Sequence, residues 1–246
     1  MHYRSVVISD VHLGTKMSQA SSLLAFLKTF ECDSLYLVGD IIDGWSLKHR
    51  LYWPQEHNDV IQKLLRKARK GTRIVYLPGN HDEFLRGFGD QDLGNIQVID
   101  SCVHTGVDGK RYQVLHGDQF DVVIKHAKWL AHVGSWAYDT LIILNLAVAG
   151  VRRLLNLKPW SLSAWAKYQV KSAVNFIGDY ENNLAGYAES QGCNGVICGH
   201  IHSANIRQIG NCTYLNSGDW VESCTALVEH HDGHWEIVKH AHMSGD

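Results

Sequence analysis

The chain has 246 residues, 45% of them hydrophobic and 20% charged, with a formal net charge of -2. This is the length and apolar content of one large α/β domain with its own core, and it excludes a fibrous or disordered chain. The near-neutral balance gives no electrostatic footprint for nucleic acid, so no nucleic-acid partner is expected.

Tyr3 to Ser9 is the first predicted strand, with Val6, Val7 and Ile8 at its buried centre. It delivers Asp10-Val11-His12. Ser18 to Phe30 carries Leu23, Leu24, Leu27 and Phe30 at helical spacing. Leu35 to Val38 is a continuous apolar run, the pattern of a strand buried in a parallel sheet, and it exits through Gly39 to Asp40. Open α/β sheets bind their ligands at that carboxyl end. Asp43-Gly44-Trp45 is expected to be a loop at the same end. Glu56 to Lys70 is a second helix, apolar at Val60, Ile61, Leu64 and Leu65 and stopped by Gly71. Arg73 to Leu77 is a third strand, leading into Pro78-Gly79-Asn80-His81-Asp82.

Ile96 to Ile99 and Tyr112 to Leu115 are short strands with Asp108-Gly109 as a turn between them. The second delivers His116-Gly117-Asp118. Residues 121–191 have helical character and no convincing strand. They hold Trp129, Trp136, Trp160 and Trp165, and an apolar run from Leu141 to Val151 that is too short to span a bilayer. The strand pattern resumes at Gly195 to Cys198, which delivers Gly199-His200-Ile201-His202. Ile206 to His242 reads as antiparallel strands completing a second sheet. The six Cys form no Cys-x-x-Cys pair and read as reduced core thiols. The sequence shows no leader peptide and no spanning helix, so a cytoplasmic location is expected.

The count of 16 His exceeds what packing needs and favours metal chemistry. The strand ends present Asp10 and His12, then Asp40, then Asn80 and His81, then His116, then His200 and His202. Oxygen and imidazole donors together suit Mn²⁺, Fe or Zn²⁺ rather than a thiolate site or an all-oxygen Ca²⁺ site. Asp10, His12, Asp40, Asn80, His116, His200 and His202 are too many ligands for one catalytic ion that keeps an open position. They suit two divalent ions sharing Asp40, whose two oxygens can each take one metal. Taken singly, Asp10 reads better as a turn residue and His116 as a satisfied core histidine. Jointly they differ from chance because each follows a predicted strand and none falls in a helix.

In order, Asp10-x-His12, Gly39-Asp40-x-x-Asp43, Gly79-Asn80-His81-Asp82, His116-Gly117-Asp118 and Gly199-His200-x-His202 resemble the five motifs of the calcineurin-like metallophosphoesterases. The resemblance implies a metal-dependent hydrolase with an α/β fold, a two-sheet β-sandwich flanked by helices. It implies that Asp10, His12, Asp40 and His202 hold one ion, and that Asp40, Asn80, His116 and His200 hold the other, with Mn²⁺ the favoured metal. His81 would face the substrate as a catalytic residue and Asp82 would orient it; capping of a following helix is the equally weighted alternative for Asp82.

Within that superfamily the chain looks like the bacterial UDP-2,3-diacylglucosamine pyrophosphohydrolases of lipid A synthesis. The similarity lies in the length, the opening Asp10 to Leu13, the Leu115-His116-Gly117-Asp118 motif and the helical insertion before Gly199. His81 stands where well-known members carry Arg. The resemblance implies one metallophosphoesterase domain over residues 1–246, with residues 121–191 as a helical cap for the acyl chains of an acylated UDP-sugar. Trp residues with Lys128, Arg152, Arg153 and Lys158 beside an apolar run have the composition of a membrane-interface segment, so peripheral contact with the inner membrane surface is expected. Ordinary packing of that segment on the main domain is the alternative. A phosphodiesterase or phosphatase for soluble nucleotides is the alternative substrate reading.

Overall fold

In the computed structural model, residues 1–88, 91–92, 95–120 and 177–240 are described. The chain divides into two compact units, residues 1–118 with 184–246, and residues 119–183. Residues 177–190 are helical. The remaining expectations for the insertion, including Trp129, Trp136, Leu141 to Val151, Trp160 and Trp165, lie outside the described residues.

The first unit runs β1 (His2–Ile8), α1 (Ala20–Thr29), β2 (Glu31–Val38), α2 (Gly44–His49), α3 (Gln55–Arg69), β3 (Arg73–Leu77), β4 (Gln91–Asp92), β5 (Ile96–Val98), β6 (Cys102–Thr105) and β7 (Arg111–Val114). After the insertion come β8 (Gly195–Cys198), β9 (Asn205–Ile209), β10 (Cys212–Asn216), β11 (Thr225–Glu229) and β12 (Trp235–Lys239). They form two sheets, ordered β12-β11-β1-β2-β3-β5-β4 and β6-β7-β8-β10-β9. Among the described residues, no helix is long and apolar enough to cross a membrane.

The continuous apolar strands are explained by two cores. Side chains alternate along a strand, so a run apolar at every position must be covered on both faces. Val6, Ile8, Leu35, Leu37, Ile74 and Tyr76 point to the layer that holds Leu23, Phe26 and Leu27 of α1 and Val60 and Leu64 of α3. The intervening Val7, Tyr36, Val38, Val75 and Leu77 pack with Tyr112, Val114, Ile197 and Leu215 of the second sheet. The fold is therefore a β-sandwich with helices covering the outer face of the larger sheet.

Three expectations need correction. Residues from Gly44 form a short helix rather than a loop, because Asp43 Oδ1 accepts from Ser46 N at 2.7 Å and caps it. The strand antiparallel to β7 is β6, not β5; β5 pairs in parallel with β3 in the larger sheet. The C-terminal strands do not all complete the second sheet. β9 and β10 do, but β11 pairs with β1 and β12 pairs with β11. Every residue of β11 is buried, a demand met only inside the larger sheet.

A buried polar chain ties the two sheets together at the end opposite the motif loops. Arg4 Nη1 donates to Glu229 Oε1 at 2.6 Å, Glu229 Oε2 lies 2.9 Å from His104 Nε2, and His104 Nδ1 lies 3.1 Å from Tyr36 Oη. Burial opposes ionisation of Glu229, but the His104 contact and Arg4 outweigh it and hold its carboxyl below the ordinary value of 4.5. The folded state thus binds this proton more weakly than the unfolded chain. Its stabilising contribution is complete above the ordinary glutamate range and is lost as pH falls through it. Thermal melts of wild type and Glu229→Gln between about pH 7 and pH 4 are expected to converge on acidification. A constant gap across that range would remove Glu229 from the acid response.

Candidate metal centre

The loops that leave β1, β2, β3, β7 and β8 meet at one end of the sandwich. Asp10 N donates to Gly39 O at 3.0 Å, and Val11 N and His12 N both donate to Asp40 O at 2.9 Å, so the first two strand ends are locked to each other. Asp10, His12, Asp40, His200 and His202 have φ of 52°, 53°, 54°, 70° and 53°. Left-handed backbone is uncommon for residues other than glycine and costs on the order of 1–3 kcal/mol when the surroundings enforce it. Here it turns five side chains sharply out of their strand ends. Gly39 has φ 77°, and a Cβ there would overlap the His116 ring, so this position needs glycine on both counts.

The side chains converge as two groups. Asp10, His12 and His202 form one; Asp40, His116 and His200 form the other; within each, the candidate ligand atoms lie within 4.8 Å of one another. Asp40 Oδ2 faces both, at 3.4 Å from His116 Nε2 and 3.9 Å from His12 Nε2. The other ring nitrogens are already committed. His116 Nδ1 donates to Val38 O at 2.8 Å and His12 Nδ1 donates to Asp43 Oδ2 at 3.1 Å. These bonds commit both Nδ1 atoms and leave both Nε2 atoms facing inward, as the positions a metal would take.

The donor set fits divalent cations. Asp10 Oδ1, His12 Nε2, Asn80 Oδ1, His116 Nε2 and His202 Nε2 are buried without a well-aligned hydrogen bond among the described residues, and Asp10 Oδ1 and His202 Nε2 face each other as an ion pair at 3.1 Å. Leaving a buried polar atom poorly matched costs about 1–3 kcal/mol, so five such atoms gathered in one place fit a cation that they could share. Electrostatics agree. Burial opposes ionisation of Asp40, but the adjacent His116 outweighs it and holds the carboxyl well below the usual range. Asp10 is lowered likewise, against burial, chiefly by His202. His116, which burial alone would lower, is raised to about 10 by Asp40. The carboxylates stay ionised in a buried site that demands positive charge beside them.

A third group, His12, Asp43 and His81, also lies within 4.8 Å. It reads as an orienting cluster. Asp43 Oδ2 shares a hydrogen bond with His12 Nδ1 at 3.1 Å and lies 2.9 Å from His81 Nδ1, close enough for an ion pair though not aligned as a hydrogen bond. One oxygen thereby faces two imidazoles. His81 Nε2 then lies 4.0 Å from Asp40 Oδ2, and the side chain is 23% exposed, at the open side of the site.

Asp82 directly precedes a short 3-10 helix, Glu83–Phe88, and its carbonyl accepts from Leu85 N, but its carboxylate turns to other donors. It is fully buried, and its oxygens accept from Asp40 N, Ile41 N, Ile42 N, Gly79 N and Tyr76 Oη. It pins the loop carrying Asn80 and His81 to the end of β2. Burial, and then the charge of Asp40, raise its carboxyl above the ordinary range. The sequence reading quoted Asp43 within a motif without giving it a task, and it missed Tyr76. The spacing of Asp43, three residues past Asp40, was the available signal; nothing local marks Tyr76.

A protein-family model described as calcineurin-like phosphoesterase matches residues 3–204. The chain belongs to that family. As a calcineurin-like phosphoesterase it is a hydrolase of phosphoester bonds. It is 25% identical over 236 residues to a UDP-2,3-diacylglucosamine hydrolase of Shewanella sp. (strain MR-7), covering 94% of this chain and 95% of the relative. It is 24% identical over 243 residues to the protein of the same name from Vibrio atlanticus (strain LGP32), covering 92% and 93%. Among solved structures, a hypothetical protein from Pyrococcus horikoshii OT3 superposes with a TM-score of 0.53 at 8% identity, over 99% of this chain and 90% of that one, a likeness of fold alone.

Proposed function

We propose that this phosphoesterase is a dimetal hydrolase that cleaves the pyrophosphate of an acylated UDP-sugar of the UDP-2,3-diacylglucosamine type, as in lipid A synthesis. The observation that carries the dimetal part is Asp40 Oδ2, which faces His116 of one ligand group and His12 of the other. Asp10, His12, Asp40 and His202 would hold one divalent ion, and Asp40, Asn80, His116 and His200 the other, with Mn²⁺ the favoured metal. Such a pair of ions supplies Lewis acidity at the phosphoryl group and acidifies water at neutral pH.

The chain's own residues do the rest. Asp43 holds His12 and His81 by their Nδ1 atoms, which directs both Nε2 atoms toward the reacting centre. Asp82 fixes the loop that carries Asn80 and His81. His81, partly exposed, carries a proton to the departing oxygen, a contribution of typically about 10²–10⁴-fold in rate. Support for the substrate comes from the two relatives named UDP-2,3-diacylglucosamine hydrolase, which match over more than nine-tenths of both lengths. The apolar and Trp-rich sequence of residues 121–191 would take the acyl chains, each buried methylene contributing about 0.8 kcal/mol, and would meet the membrane surface that carries such a substrate.

A hydrolysis screen with Mn²⁺, comparing UDP-2,3-diacylglucosamine, non-acylated UDP-sugars and cyclic nucleotides, tests this. The acylated substrate should be preferred by orders of magnitude in kcat/KM. Equal efficiency with and without acyl chains would reject the acylated substrate, and preference for cyclic nucleotides would make the enzyme a soluble-nucleotide phosphodiesterase.

A further inference from the structure

His81 is held by more than Asp43. Its N–H donates to Asp40 Oδ1 at 2.9 Å, and its carbonyl accepts from Gly44 N at 2.9 Å. That second bond joins the loop after β3 to the start of α2. It requires glycine, because a Cβ on residue 44 would lie 2.9 Å from His81 O and 2.9 Å from Phe84 Cε1. The next residue of α2 is Trp45. Its indole lies 4.2 Å from the His81 ring, centroid to centroid, with the planes 36° apart, while His12 meets the same ring nearly at right angles at 4.7 Å. Trp45 is 37% exposed, a large apolar side chain that packing would bury. It stands as a wall beside the imidazole, which is itself only partly exposed. Trp45 is not among the residues to which the sequence or the family motifs give a task.

We propose that Trp45 is a positioning residue for His81. Asp43 meets the imidazole as an ion pair at Nδ1, a contact of distance rather than of aligned hydrogen bonding, which sets the ring plane only loosely through χ1 and χ2. The indole face removes this freedom and fixes the ring plane, so that Nε2 meets the departing oxygen. Misplacement of a catalytic group by about 1 Å can cost on the order of 10²-fold. Trp45 acts through His81 and does not touch the phosphoryl group. The inference rests on the reading of His81 as proton donor.

The test uses the metal-loaded enzyme and a series of aryl phosphodiesters whose leaving phenols run from strongly to weakly acidic. A proton donor matters least for the best leaving group and most for the worst. His81→Ala should therefore steepen the dependence of kcat on leaving-group acidity. Trp45→Ala should steepen it in the same direction, with kcat down about 10-fold or more on the poorest leaving group and KM within about twofold. Trp45→Phe, which keeps an aromatic face, should restore most of the loss. The double variant should be no slower than His81→Ala alone, since the wall has nothing left to position.

Three results would overturn the inference. One is a Trp45→Ala loss that is uniform across the series. Another is a loss expressed in KM and persisting in the His81→Ala background, which would make Trp45 a substrate contact. The third is loss of bound metal in Trp45→Ala. If His81→Ala itself fails to steepen the series, the proton-donor reading falls and the role of Trp45 with it. If only Trp45→Ala fails, His81 keeps its role and the positioning claim alone is lost.

Discussion

Asp40→Ala should lose turnover by several orders of magnitude and should retain at most one tightly bound ion per chain. Asp40 Oδ2 is the ligand atom facing both groups, 3.4 Å from His116 Nε2 and 3.9 Å from His12 Nε2. On the dimetal reading, truncation would remove a donor from both ions, and it removes the carboxylate that faces His116 Nε2. Two-metal catalysis needs both ions held at once, and Asp40 is the residue that would serve both. Asp40 Oδ1 also accepts from His81 N, so the alanine variant loosens the His81 loop as well. Asp40→Asn separates the two effects. The amide oxygen can keep the backbone contact, but a neutral side chain bridges two cations poorly, so activity should still fall by orders of magnitude while the thermal midpoint moves little. Metal analysis and kcat on a phosphodiester are the measurements. Two ions per chain with activity within tenfold of wild type in both variants would remove Asp40 from the bridging role.

Much of this site could be read from the sequence because its ligands are tied to strand ends. A buried parallel strand announces itself by an uninterrupted apolar run, as Leu35 to Val38 does, and the residue after it has a defined place. The left-handed backbone at Asp10, His12, Asp40, His200 and His202 was not visible, since it arises from hydrogen bonds between distant strand ends. The tail was misassigned for a related reason. Alternation in residues 225–239 predicts strands, but whether β11 joins β1 or β10 depends on which edge is left open, and edge pairing is a property of the assembled sandwich. The short helix at Gly44 was missed because its capping contact, Asp43 to Ser46, sits in a segment otherwise read as a metal-site loop. Asp82 shows the limit most clearly. Its five donors come from the loop after β2, from β3 and from its own loop, and no local pattern brings them together.

That arrangement makes Asp82→Ala the most damaging substitution expected outside the ligand set. Asp82 is fully buried. Its loss leaves Asp40 N, Ile41 N, Gly79 N and Tyr76 Oη without the acceptor they now share. A buried donor stripped of its acceptor costs about 1–3 kcal/mol, and relaxation or entering water recovers part of the sum. A net loss of about 3–5 kcal/mol is expected, comparable with breaking a buried charged contact. At about 2–4 °C per kcal/mol for a chain of this size, the thermal midpoint should drop by roughly 6–20 °C. Turnover should fall too, because Asn80 and His81 ride on the loop that Asp82 ties to Asp40. Asp82→Asn should not rescue the enzyme. An amide offers one acceptor oxygen in place of two and turns its NH₂ toward backbone N–H groups. Tyr76→Phe should be far milder, since Asp82 keeps its four backbone donors and only one hydroxyl contact is lost. If Asp82 instead served to orient His81, the pattern would differ. Asp82→Ala would keep the wild-type midpoint and metal content, and it would reproduce the leaving-group dependence of His81→Ala. A wild-type midpoint together with that dependence would return Asp82 to the orienting role and leave the stability of the loop to other contacts.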